Sequence, residues 1–193
     1  MRPANPAGRA QLLASIEDTL GEIEKSDTPQ WNAGPHAFHQ WIKQPGAIEV
    51  EMGWMKTAIN DELIYTQHLA DCSAIVLCED YDERTKTYAR RSLMHLVGSN
   101  LTVCDGAEYM LNMIQMASAS SGKPKCIIAL GSEVAHEHFA IIAKQEVQDS
   151  EGKLIKPFAE LQALCDTTIL ELTKGIAVRP DGGYMVLRYH HQG

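Results

Sequence analysis

No apolar run in this 193-residue chain reaches the length needed to cross a bilayer, and the N-terminus lacks the basic-then-apolar layout of a cleavable signal. Positive charge is scarce as well: 17 Lys and Arg stand against 25 Asp and Glu, a formal net charge of −8. An acidic surface repels polyanions, so neither a nucleic acid nor an anionic membrane is expected as a partner. The basic cluster of Arg84, Lys86, Arg90 and Arg91 is interleaved with acids and reads as a solvated hairpin. CxxC pairs are missing too. The five cysteines, Cys72, Cys78, Cys104, Cys126 and Cys165, are an odd set that argues against a disulfide framework or a structural zinc site. Free thiols fit a reducing compartment: the cytoplasm, or a target cell reached by secretion without a cleavable signal. No internal repeat or low-complexity tract is present.

What the chain does contain is a globular composition, 45% hydrophobic and 22% charged. One domain over residues 1–193 is expected, with the Pro/Ala-rich residues 1–8 frayed. Leu12, Leu13, Ile16, Leu20 and Ile23 recur at helical steps, so 9–25 reads as a helix packing on the core. A short helical turn is expected around 36–42, where His36, His39 and Trp41 read as partly exposed residues. Residues 47–55 alternate apolar and polar as a half-buried strand does, and 63–68 follow as a second. Residues 72–78 are apolar on both faces, the pattern of a central strand; 79–86 form a polar connection and 88–97 the returning strand. A helix over 104–119 comes next, then strands at 126–130 and 138–143. A polar turn at 147–153, a helix at 158–164 and strands at 167–172 and 184–189 finish the chain, the last strand preceded by a hairpin turn at Pro180–Gly183. The fold class expected is α+β: a sheet-rich layered or sandwich-like core with about three flanking helices, joined mostly by hairpins rather than doubly wound.

Chemistry concentrates in one place. A cysteine within an apolar strand is most often inert packing. Cys72, however, begins its strand after the turn Leu69-Ala70-Asp71, where backbone N–H groups can hold an oxyanion. Antiparallel pairing with the next strand brings His95 within reach as a base, and Thr66 offers an oxygen to fix the imidazole tautomer. Elsewhere, Cys104 at a helix start with His136 or His138 and Asp166 has the order of a papain-like cysteine protease or deamidase. His136 and His138 on one side of a strand have metal-ligand character, but without a third ligand they read as a solvent-facing strand end. Asp181-Gly182-Gly183 is turn chemistry, since no helix start follows it.

The segment Thr66-Gln67-His68-Leu69-Ala70-Asp71-Cys72, with a histidine on the following strand, resembles the deamidases related to the chemotaxis protein CheD. It is similar to the cytotoxic necrotizing factor toxins as well, and its local pattern is nearest to Burkholderia lethal factor. The resemblance implies hydrolysis of a glutamine side-chain amide in a protein substrate, with Cys72 as nucleophile, His95 as base and acid, and Thr66 orienting it. It implies no metal or organic cofactor, and a bacterial toxin or effector as the setting. The chain departs from the pattern at Asp71, where these families carry glycine or serine, and in a longer connection between Cys72 and His95. A carboxylate at Asp71 is expected to raise the thiol pKa. A non-enzymatic binding or immunity-type domain, with all five cysteines structural, is the reading from a different class.

Overall fold

In the computed structural model the described residues are 35–189, together with Gln11, Ala14 and the pair Ile23–Glu24. Strand β5 (Ser73–Asp82) is central, pairing antiparallel with both β6 (Thr87–Leu96) and β7 (Lys125–Leu130). Its side chains alternate between two apolar cores, with Ile75 and Leu77 on one face and Ala74, Val76 and Cys78 on the other. That is why its sequence reads as a continuous apolar run. The sheet extends from β6 to β3 (Met55–Ile59), and from β7 to β10 (Asp166–Leu170) and β1 (Ile23–Glu24), in the order β1-β10-β7-β5-β6-β3.

A second sheet has the order β12-β11-β4-β2, formed by β2 (Ile48–Glu49), β4 (Ile64–Gln67), β11 (Thr173–Val178) and β12 (Tyr184–Arg188). Ile64, Ile176, Val178 and Val186 of this sheet share one core with Ala74, Val76, Leu93 and Ile127 of the first, so the sheets face each other. The outer face of the first sheet is covered by α2 (Gly106–Ala119), α3 (Glu133–Ile142) and α4 (Pro157–Leu164), through Met110, Met113, Phe139 and Phe158. The outer face of the second lies under α1 (Pro35–Ile42), whose Phe38 is fully buried against Leu63 and Ala177. The architecture is therefore mixed α+β, a two-sheet sandwich with helices outside, as expected.

Several elements differ from expectation for physical reasons. Residues 138–142 are helical, within α3, with Ala143 as its C-cap; the run His138 to Ala143 has no polar break, so its period does not separate a buried strand from a helix. The expected strand at 47–55 is instead the short β2, a turn, and β3. The expected turn at 147–153 is a small hairpin of β8 (Val147–Gln148) and β9 (Leu154–Ile155). Strand β11 was not expected at all. Ile23–Glu24 is extended rather than helical; most of the expected 9–25 helix, and residues 1–8, lie outside the described residues. β7 and β10 run parallel through a helical crossover, so hairpins do not make every connection. Finally, Arg91 is not a solvated hairpin cation. It is fully buried opposite Cys78, donating to the carbonyls of Tyr88 and Glu62.

Candidate active site

The inner face of the first sheet carries a row of side chains at one level across its strands. Register sets Ala129 of β7 opposite Ala74 of β5, and Ala74 opposite His95 of β6. Both alanines are fully buried in the core between the sheets. Cys72 lies two residues before Ala74, in the same inter-sheet core, and is therefore a diagonal neighbour of His95 on the same face. Both are almost completely buried, Cys72 at 3% and His95 at 2% exposure.

Thr66 reaches this level from the opposite sheet. Its Oγ1 lies 2.6 Å from the carbonyl oxygen of Val50 and 2.8 Å from His95 Nδ1. A hydroxyl has one proton to give, and the carbonyl can only accept it. Thr66 therefore donates to Val50 and accepts from His95 Nδ1–H. That fixes the tautomer with the lone pair on Nε2, a buried atom that has no hydrogen-bond partner. The imidazole is held neutral: burial is the main cause, with His68 adding to it, and its pKa falls from 6.5 to about 4. Asp71 acts in the opposite sense.

The thiol is also held neutral, with its pKa raised from 9.0 to about 11, first by burial and then by the charge of Asp71. The thiol donates toward Asp71 Oδ1 at 3.8 Å. Against these effects, the nearby backbone N–H of Gly98 lowers the thiol pKa. Gly98 has φ of +65°, and a Cβ there would meet nothing within 4 Å, so only the backbone conformation asks for glycine.

The loop leading into Cys72 is fastened from the far side. Gly131 N–H donates to the Cys72 carbonyl at 3.1 Å and Ser132 N–H to the Ala70 carbonyl at 2.7 Å. His138 Nδ1 donates to the Asp71 carbonyl at 3.1 Å. A Cβ on Gly131 would stand 1.8 Å from the Leu69 carbonyl oxygen, so this close approach requires glycine. Tyr189 borders the same space, its hydroxyl pKa raised by burial and by the charges of Asp71 and Cys72.

Thr66, Cys72 and His95 are thus brought together. The papain-like set is not. Cys104 is exposed in a left-handed turn ahead of α2, and His138 is engaged with the Asp71 loop. Asp166 starts β10 opposite Lys125 and pairs with Lys123, at the end of the sheet away from Cys72, whose neighbour Ser73 faces Leu130. His136 and His138 stand on a helix two residues apart, one buried and the other partly exposed, so they do not share a face. Among the described residues no group of three or more His, Cys, Asp or Glu is placed to hold a metal ion. Sequence reasoning did not find Val50, Gly98, Gly131 or Tyr189. The first two act through backbone atoms, which leave no signature in side-chain identity.

No protein-family model matches the chain, and no curated protein matches it.

Proposed function

We propose that this protein is a cysteine-dependent hydrolase that deamidates a glutamine side chain in a protein substrate. The observation that carries the reading is the Val50–Thr66–His95 chain, which leaves Nε2 with a lone pair on the face shared with Cys72. Thr66 is a positioning residue; Cys72 and His95 are the catalytic ones. Both catalytic groups rest uncharged, so the thiol gives its proton to Nε2 as it attacks, rather than from a standing ion pair. The C–S bond forms, the Gly98 N–H is a donor available to the developing negative charge, and the C–N bond breaks as His95 returns the proton to departing ammonia. Water, deprotonated by the same nitrogen, then cleaves the thioester to give glutamate and the free thiol. The resemblance to toxin deamidases adds the setting: an effector acting inside a target cell.

A silent binding domain is favoured by one observation, the thiol pKa pushed up to about 11 with Asp71 beside it. Mass spectrometry separates the two readings. The wild-type protein incubated with a cell lysate is expected to produce glutamine-to-glutamate conversion at a small set of sites, absent with Cys72→Ala. Identical peptide maps from the two proteins would reject the hydrolase.

A further inference from the structure

The row of side chains containing Ala74 and His95 has one more member. β3 and β6 pair with Met55 opposite Met94. One step further, His95 N–H donates to the Trp54 carbonyl at 3.0 Å, while Gly53 N–H donates to the His95 carbonyl at 3.0 Å. Two residues, Gly53 and Trp54, thus oppose a single residue, His95. With Gly53 at φ +84°, this is a glycine-type β-bulge at the strand start. It grows from a tight turn closed by Trp54 N–H donating to the Glu51 carbonyl at 3.1 Å. The bulge sets Trp54 directly across from His95, on the strand flanking it opposite to Cys72.

Trp54 is nevertheless 57% exposed, so it is not part of either core. Its turn neighbour Met52 is 63% exposed and Val103 43%. Val103 precedes Cys104, whose Cβ and Sγ would stand 3.1 Å and 3.2 Å from a Cβ on Gly53. Single exposed apolar residues are ordinary. An indole set across from the base by a bulge, with exposed apolar residues in its own turn and on the adjoining 103–104 segment, is a different matter. Bulges re-aim side chains beside active sites, and an aromatic ring presents a large rigid surface at low entropic cost.

We propose that Trp54 is a specificity-determining residue: the platform for an apolar side chain flanking the substrate glutamine, with Met52 and Val103 completing the surface. This rests on the deamidase reading and names the substrate class for that site, a protein segment in which the glutamine has an aliphatic or aromatic neighbour. The buried Cys72 and His95 receive the amide, while the rim holds the residue beside it.

The test uses short peptides in which the glutamine side-chain amide is replaced by a chloromethyl ketone, flanked either by leucine or by serine. The Cys72 sulfur displaces chloride from the methylene carbon, forming a thioether, and the thiol proton passes to His95. The leucine-flanked probe is expected to modify wild-type Cys72 about ten-fold faster than the serine-flanked one. Trp54→Ala is expected to abolish that preference and Trp54→Phe to retain most of it, with iodoacetamide reacting at Cys72 equally fast in all three proteins. A preference that survives in Trp54→Ala, or is absent from a wild-type protein whose Cys72 still takes iodoacetamide, overturns the platform alone. A wild-type Cys72 inert to both kinds of reagent overturns the deamidase reading and the platform with it.

Discussion

At the scale of single residues, the candidate site is an arrangement of uncharged, almost fully buried groups. Burial is the leading cause of both shifts, down for His95 and up for Cys72, so the proton rests on sulfur and both groups are neutral. The same burial has a consequence for stability. The unfolded imidazole takes a proton near 6.5 and the folded one only near 4, so between these values the unfolded state binds more protons. His95 therefore adds to stability above about pH 6.5 only in the sense that nothing is lost there; as pH falls toward 4 it costs up to about 3 kcal/mol. Urea unfolding across this range should show wild type losing more stability than His95→Gln as pH falls. Parallel curves for the two proteins would mean that the imidazole is not held neutral by the fold.

At the scale of elements, what positions Cys72 is a glycine contact rather than a motif. Gly131 follows β7 and lets the 69–72 loop pass within 1.8 Å of where its Cβ would be. Gly131→Ala has no flexible side-chain tip to displace, only the carbonyl oxygens of Leu69, Ala70 and Cys72. Thermal unfolding should register a loss of about 2–4 kcal/mol, or a variant that folds with the loop displaced and Cys72 more readily alkylated. A variant with wild-type stability and wild-type alkylation would show that the loop is not fastened there. Elements with a clean period were legible in advance: β5 and β6 from their apolar runs, and α2 from its stripe of Ala107, Met110, Leu111, Ile114 and Met116. α3 was not, because an apolar stretch in which His138 is the only polar side chain before Ala143 carries no period to read. The bulge at Gly53 had a visible signal, a glycine inside an alternating pattern, whose meaning depends on the partner strand.

At the scale of the whole molecule, the site exists because two sheets meet. Cys72 immediately precedes β5 and His95 lies on β6, its hairpin partner, so their proximity was legible from strand order alone. Thr66 comes from the other sheet, and its meeting with His95 depends on how the sandwich closes. Its hydroxyl already suggests an oxygen to fix the imidazole tautomer, but only the three-dimensional arrangement supplies Val50 as the acceptor of its proton. The buried Arg91 shows the limit in the other direction: local charge composition suggested a solvent-facing hairpin, whereas its register with Cys78 turns it inward.

The central claim is that Cys72, His95 and Thr66 act as one unit, and the rate of iodoacetamide alkylation at each cysteine tests it most directly. Peptide mapping at neutral pH follows Cys72, with the exposed Cys104 followed in the same maps as a reference. The expected result is a Cys72 rate about ten-fold lower in His95→Gln and reduced in Thr66→Val, with the Cys104 rate constant throughout. An inert Cys72, or one alkylated equally fast in all three proteins, would contradict it.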